Sequence, residues 1–306
     1  MVVYDLRTMQ ACEIKEKTVL CLGTFDGCHI GHRSVFGSAY RLAKQKKAKS
    51  VIYTFDSIPK TSPNGKRALS IMTKEEKIKA FQKSGIDYLA LDSFERVKNM
   101  SGEGFVNEVL IKELSAVGAT CGYNFCFGKN REANAENLKE FFEKAGGSVE
   151  ICPKVMLGEQ TLSSTLIREM LSCGRVEELL ECMGPYSVYA EVLRGKGLGS
   201  RELLPTINQK IPEEKVKLKN GVYITECEIG EDVYPSITNV GVRPTTDKNG
   251  EVNMETYILD YSKILYNSHV KVNFYKYLRE ERVFSSLAEL KEQIASDARQ
   301  SREYFK

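Results

Sequence analysis

Long apolar runs are missing from this sequence. None reaches the roughly 18 consecutive apolar residues of a membrane-spanning helix, and the first ten residues, MVVYDLRTMQ, lack the basic and then apolar order of a secretory signal. We therefore expect a cytoplasmic protein with no membrane partner. The net charge of +3 is also small, which argues against a nucleic-acid partner.

Cysteine motifs are missing too. The nine cysteines are scattered, odd in number and without a Cys-x-x-Cys pair. This pattern argues against a disulfide framework or a structural zinc site, and it suits a reducing compartment.

A strand, a glycine-rich turn and a helix follow one another near the start of the chain. The apolar run 19–22 predicts a buried strand, and Gly23, Gly27 and Gly31 mark the turn after it. Helical spacing begins at Arg33. This arrangement directs backbone N–H groups and a helix N-terminus toward an anion, usually a phosphate.

Two of only three histidines lie in this turn, in the pattern His-x-Gly-His. At the start of a helix, His29 and His32 are able to donate hydrogen bonds to charge that develops on a phosphorus centre. From spacing alone, two alternatives stay open: a tight turn with surface histidines, and a metal site that would need further ligands.

The chain continues to alternate strands and helices up to about residue 155. This rhythm predicts a parallel, doubly wound α/β sheet that binds its ligand beyond the carboxyl ends of the strands. The predicted strands are 51–55, 88–91, 119–122 and 149–155, and the predicted helices are 74–84, 104–114 and 135–145.

A cluster of hydroxyls opens a further helix. Ser163, Ser164 and Thr165 stand at its start and Arg168 one turn later. Hydroxyls, helix N–H groups and a guanidinium together suit a triphosphate, although Ser and Thr are also the commonest helix caps.

Three motifs resemble the N-terminal module of bacterial bifunctional riboflavin kinase/FAD synthetases: GTFDGCHIGH (23–32), GYNFCFG (122–128) and SSTLIR (163–168). The resemblance implies a Rossmann-like nucleotidyltransferase domain with His29 and His32 as catalytic residues. It also implies nucleotide and phosphate contacts from Gly23, Phe25, Asp26, Gly31, Asn124, Ser163, Ser164, Thr165 and Arg168. One departure is Ile58, where the family often has a histidine, so slower adenylyl transfer is one expectation.

Near Gly184 the rhythm changes to short alternating runs with turns between them. We predict two domains, 1–184 and 185–306, with a helix 176–182 closing the first. The second is predicted as an antiparallel sandwich or small β-barrel with a C-terminal helix over 286–305.

Oxygen-bearing side chains are spaced for a shared face in this second half. Thr206 and Asn208 lie two apart on an extended segment, and such ligands suit Mg²⁺ together with phosphate oxygens. Glu255 enters an otherwise apolar strand, where the residues alone also allow an ordinary surface glutamate.

This half resembles the riboflavin kinase module through PTIN (205–208), NVGVRPT (239–245), Glu255-Thr256 and LREERVF (278–284). The resemblance implies Mg²⁺–ATP on Thr206 and Asn208 and a general base at Glu255. It further implies ATP or flavin contacts from Gly195, Gly197, Pro205, Asn239, Arg243 and Arg279. Departures are Leu203-Leu204 for the usual Gly-Phe and Gly184 for a common arginine.

The combined prediction is an enzyme that phosphorylates riboflavin to FMN and adenylylates FMN to FAD, with ATP and Mg²⁺. The alternative is a riboflavin kinase whose first domain binds nucleotide but transfers poorly. A flavin-binding regulator without turnover, or a nucleotidyltransferase for another small substrate, accounts for less of the chain.

Overall fold

The computed structural model describes residues 1–7, 14–56, 68–194, 205–242 and 252–306. The chain divides into two compact units, 1–164 and 165–306. The boundary near residue 184 stays a prediction. No helix among the described residues is long and apolar enough to cross a membrane.

The first unit is built on six parallel strands. Its strands are β1 (Val2–Asp5), β2 (Thr18–Leu22), β3 (Lys49–Phe55), β4 (Tyr88–Asp92), β5 (Ala116–Gly122), β6 (Cys126–Phe127), β7 (Ala133–Asn134), β8 (Ser148–Cys152), β9 (Met156–Leu157) and β10 (Gln160–Thr161). The large sheet has the order β1-β4-β3-β2-β5-β8, and β6–β7 and β9–β10 are small antiparallel pairs. The predicted parallel α/β sheet is confirmed.

Helices connect these strands. They are α1 (Ile30–Lys46), α2 (Lys74–Gln82), α3 (Phe94–Val97), α4 (Gly102–Gly104) and α5 (Ala135–Lys144), with a 3₁₀ turn at Lys129–Arg131. Helix α6 (Ser164–Ser172) begins at the last residue of this unit and continues in the second. Thr73 caps α2 in a reciprocal bond pattern with Glu76. The segment predicted as helical over 104–114 is helical, with Phe105–Glu113 in π-helical geometry.

Strand β2 explains where a ligand site can form. Its residues are all buried, with Leu20 and Leu22 in one apolar cluster and Val19 and Cys21 in another. Alternate residues thus point to opposite covered faces, which accounts for the continuous apolar run. The strand order reverses at β2, between β3 and β5, so a crevice is expected at its carboxyl end.

The second unit is a curled antiparallel sheet with one long helix. Its strands are β11 (Tyr186–Glu191), β12 (Thr206–Lys210), β13 (Gly221–Ile229), β14 (Asp232–Val242), β15 (Val252–Ile258) and β16 (His269–Arg279), in the order β11-β16-β13-β14-β15-β12. The Leu193 N–H donates to the Asn208 carbonyl at 2.8 Å, just beyond β11. The two edges of the sheet therefore meet, which favours the small barrel over the sandwich.

Helix α7 (Leu287–Tyr304) begins at the N-cap Ser286 and packs on β13 and β14, as the C-terminal apolar spacing predicts. The helix predicted over 176–182 is reduced to a 3₁₀ turn at Glu177–Leu179. Gly184 has φ +83, a conformation that favours glycine over the arginine common in the family.

Candidate active sites

The turn after β2 is held in a strained and crowded conformation. Phe25 has φ +50 and is buried, with its ring edge-on to His32 at 5.4 Å between centroids. A Cβ on Gly23 would lie 2.8 Å from the Phe25 ring. A larger residue at position 23 would therefore displace the Phe25 ring from its place beside His32.

His29 and His32 form a stacked pair at the start of α1. Their ring centroids are 3.6 Å apart with an interplanar angle of 24°. A Cβ on Gly31 would lie 3.1 Å from the His29 ring, so the small residue between them permits the stack. That both rings face one ligand pocket stays a prediction.

His29 is an unusual histidine because its ring nitrogens are buried without a hydrogen-bond partner among the described residues. The residue is 4% exposed. Burial and, to a smaller extent, the positive charge of Arg33 together lower the pKa of His29 from 6.5 to about 4. A neutral imidazole with unused nitrogens is suited to bonding a ligand, since buried polar groups are otherwise paired.

The Asp26 carboxylate is directed at the protein backbone. It is 2% exposed and accepts hydrogen bonds from the N–H groups of Ile71 at 3.0 Å and Met72 at 3.1 Å. The sequence predicts Asp26 as a nucleotide contact. The structure gives its carboxylate a bracing role between the turn and the segment before α2.

Ser164, the last residue of the first unit, contacts the same turn. The Ser164 hydroxyl donates to the Asp26 carbonyl oxygen at 2.9 Å, and Ser163 beside it is half-buried. Thr165 and Arg168 follow on α6 in the second unit, where Arg168 is half-buried. Asn124 is exposed in the turn after β5, the strand that pairs with β2.

Sequence reasoning missed a buried lysine at this edge of the sheet. Lys77 on α2 donates to the carbonyl oxygens of Thr24 at 3.2 Å and Phe55 at 3.1 Å. One signal was present, because Lys77 stands four residues before the buried Phe81 and so shares its core-facing side of the helix.

In the second unit, Glu255 on β15 lies between two asparagines. It is the register partner of Asn208 on β12 and of Asn239 on β14. Directly opposed residues place their Cβ atoms about 4.5–5.5 Å apart on one face. The neighbours Thr238 and Thr256 bond to each other at 2.9 Å on the opposite, buried face. The strand register therefore brings the three predicted residues together.

The orientation of the Asn239 amide is fixed by a carboxylate. Its Nδ2 donates to Glu281 Oε1 at 3.0 Å, whereas its buried Oδ1 has no hydrogen-bond partner among the described residues. A Cβ on Gly241 would overlap the Glu281 carboxylate. The sequence motifs contained all three residues, but their contact depends on the tertiary structure.

Arg279 forms an ion pair within the protein that was not predicted from the sequence. Its guanidinium bonds to the buried Asp297 on α7 at 2.8 and 3.1 Å.

Pro205 is exposed directly before β12. Six of the positions singled out in the sequence lie outside the described residues, namely Ile58, Gly195, Gly197, Leu203, Leu204 and Arg243.

The donor set around Glu255 suits a hard cation. Thr206 and Asn208 follow each other on one face of β12, and Glu255 faces Asn208. Hydroxyl, amide and carboxylate oxygens are ligands that Mg²⁺ accepts together with water and substrate phosphates. Among the described residues, no group of three or more His, Cys, Asp or Glu is placed to hold a metal ion.

Comparison with known proteins covers both units. Residues 11–166 match the FAD synthetase family model and residues 182–305 match the riboflavin kinase model. The bifunctional riboflavin kinase/FMN adenylyltransferase of Bacillus subtilis (strain 168) is 28% identical over 299 residues, covering 96% of this chain and 94% of that protein. The protein of the same name from Escherichia coli (strain K12) is 29% identical over 295 residues, covering 95% and 94%.

A solved structure shares the whole fold. It is a protein described as a macrolide-efflux protein from Streptococcus pneumoniae, with a TM-score of 0.88, 26% sequence identity and 99% of each chain covered. With both domain models matched in series along one chain, the protein belongs to the bifunctional riboflavin kinase/FAD synthetase family.

Proposed function

We propose that this chain makes FMN from riboflavin in its second unit and FAD from FMN in its first, using ATP in both steps. The observation that carries the proposal is the succession of an FAD synthetase match and a riboflavin kinase match on one polypeptide. The kinase-only alternative is not favoured, because relatives that cover nearly the whole chain are bifunctional.

In the kinase step, Glu255 takes the proton from the riboflavin 5′-hydroxyl as that oxygen attacks the γ-phosphate of ATP. The oxygen–phosphorus bond to the leaving ADP breaks as the new bond forms. The position of Glu255 between Asn208 and Asn239 supports this role, because both amides can orient substrate groups beside the base.

Thr206 and Asn208 are the proposed holders of Mg²⁺–ATP, since their oxygens share a face next to Glu255. When bound, the cation offsets negative charge on the phosphates. The orphaned Oδ1 of Asn239 is available to accept a hydrogen bond from a flavin hydroxyl. Roles in ATP or flavin binding for Gly195, Gly197, Pro205, Arg243 and Arg279 rest on the family resemblance alone.

In the adenylylation step, a phosphate oxygen of FMN attacks the α-phosphate of ATP, and pyrophosphate leaves. The nucleophile is already ionised, so positioning and charge stabilisation matter more than a base. His29 and His32 are proposed to donate to the phosphates, supported by their stacked rings and by the unused nitrogens of His29. Asn124, Ser163, Ser164, Thr165 and Arg168 are proposed to bind the nucleotide, with Gly23, Phe25, Asp26 and Gly31 shaping the turn.

Small molecules are the only partners that we propose, with no nucleic acid and no membrane. The proposed location is the cytoplasm, supported by the eight free cysteines among the described residues, which suit a reducing compartment.

A time course with the purified chain, riboflavin, excess ATP and Mg²⁺ tests the proposal. We expect FMN to appear first and then to be replaced by FAD, as separated by chromatography. FMN that accumulates without FAD would restrict the function to the kinase, and unchanged riboflavin would contradict both activities. A parallel reaction with EDTA in excess over Mg²⁺ tests the metal requirement.

A further inference from the structure

Lys77 is a buried cation beside the histidine turn, the segment 23–32 that follows β2 and carries His29 and His32. The side chain is 6% exposed, and its ammonium donates to the carbonyl oxygens of Thr24 and Phe55 at 3.2 and 3.1 Å. Thr24 belongs to the turn after β2, and Phe55 ends β3, the neighbouring strand. One side chain therefore ties the turn to the carboxyl end of the adjacent strand.

The charge of this lysine has no direct counter-charge. Within the described part of the chain, the hydrogen bonds of the ammonium go to two neutral carbonyl oxygens, and no carboxylate forms an ion pair with it. Burial lowers the pKa of Lys77, while Asp26, Cys28 and Asp56 oppose that shift through space. A buried, unpaired charge is costly, and lysines are almost never fully buried unless paired. A neutral side chain would make the same carbonyl bonds at lower cost.

An anionic ligand would supply the missing counter-charge. The Thr24 carbonyl lies at the end of β2 where the strand order reverses, the place at which doubly wound sheets bind phosphates. A bound anion would also favour the protonated lysine. The segment that carries Lys77 is braced against the same turn a second time, through the Asp26 carboxylate and the N–H groups of Ile71 and Met72.

We propose that Lys77 is a positioning residue for adenylyl transfer, which fixes the turn between β2 and α1 and supplies a buried positive charge that favours a polyphosphate ligand there. This inference rests on the proposed FMN adenylylation by the first unit. It goes beyond the residues of the recognised motifs, none of which includes Lys77.

The chain offers a matched control for this lysine. The Thr54 hydroxyl donates to the same Thr24 carbonyl, at 3.2 Å, without carrying a charge. Thr54→Val removes a neutral hydrogen bond to that carbonyl, Lys77→Gln removes the charge but keeps a donor, and Lys77→Met removes both. Lys77→Arg restores the charge.

The experiment compares these full-length variants with the wild type in three assays: FAD formation from FMN and ATP, inhibition of that reaction by pyrophosphate, and FMN formation from riboflavin. We expect Lys77→Gln and Lys77→Met to lower kcat/KM for ATP in FAD formation by about tenfold or more and to raise the pyrophosphate inhibition constant similarly. Thr54→Val should change each by less than about threefold, and Lys77→Arg should recover pyrophosphate affinity relative to Lys77→Gln. FMN formation serves as the control for folding.

Three results would overturn the inference. If Lys77→Gln formed FAD and were inhibited by pyrophosphate like the wild type, the positive charge of Lys77 would have no role in binding the polyphosphate. Equal losses in Thr54→Val and Lys77→Gln would mean that Lys77 acts only by donating hydrogen bonds to the carbonyl oxygens, without a role for its charge. A wild-type chain that makes no FAD from FMN would overturn the proposed adenylylation itself, and this inference with it.

Discussion

Asn208 on β12 is the direct register partner of Glu255 on β15. The two residues are 47 positions apart in the sequence, and the pairing of two strands places them on one face of the barrel unit. The pairing thus brings the proposed metal-binding amide beside the proposed general base, as transfer of a phosphoryl group to a hydroxyl would use them.

Replacing Glu255 by glutamine should remove the proton acceptor while keeping size and hydrogen bonding. We expect FMN formation to fall by about 10²–10⁴-fold, with FAD formation from supplied FMN unchanged. Glu231→Gln is the matched control, because Glu231 lies in the turn at the far end of the β13–β14 hairpin. Kinase activity that survives Glu255→Gln would remove Glu255 from the role of base.

The stacked histidines allow a complementary test of the first unit. The double variant His29→Ala/His32→Ala should lower FAD formation from FMN by at least about 10²-fold, since two donors to the phosphates are lost. FMN formation from riboflavin should persist in the same preparation. Unimpaired FAD formation would refute the assignment of these two residues.

The buried ring of His29 predicts a pH dependence of stability. Its pKa is about 4 in the folded chain against 6.5 for an ordinary histidine, so the unfolded chain binds more protons between these values. The neutral His29 ring therefore contributes to the free energy of unfolding, by at most about 3 kcal/mol. This contribution is fully present above about pH 6.5 and is lost as the pH falls toward 4. Urea unfolding at pH 7 and pH 5 should show a smaller pH effect for His29→Ala than for wild type, with the exposed His269→Ala as control. Equal pH effects in wild type and His29→Ala would contradict this.

The contact of Glu281 with Asn239 and Gly241 predicts coupled substitutions. Gly241→Ala should displace the Glu281 carboxylate and free the Asn239 amide, which lowers FMN formation several-fold, on the order of one lost hydrogen bond to a charged group. Because the effect passes through Glu281, adding Gly241→Ala to Glu281→Ala should cost little more than Glu281→Ala alone. Additive losses in this double-mutant cycle would show that the two positions act independently.

The bracing role of Asp26 can be separated from substrate binding. In Asp26→Asn the amide group would face the N–H donors of Ile71 and Met72, so we expect a loss of about 1–3 kcal/mol in unfolding free energy. FAD formation should fall and FMN formation should not. An Asn variant with wild-type stability but weaker ATP binding would instead place Asp26 among the nucleotide contacts.

Much of the local structure followed from the sequence. The apolar run before Gly23 predicted β2, and the spacing after Arg33 predicted α1, because burial and periodicity are properties of consecutive residues. The type of the helix at Phe105–Glu113 was not predictable, since a π-helix and an α-helix can bury the same residues.

What the sequence by itself determined is the alternation that separates an α/β half from a β half, and the motifs that identify the family. The tertiary structure decided which residues touch. In the folded chain, Asp26 and Arg279 bond to other protein groups, and Asn239 bonds to Glu281. Lys77 is buried with its ammonium on a carbonyl of the histidine turn. Local periodicity indicates which face of an element is buried, but these contacts join segments that are distant in the sequence, so they form only when strand pairing and helix packing bring those segments together.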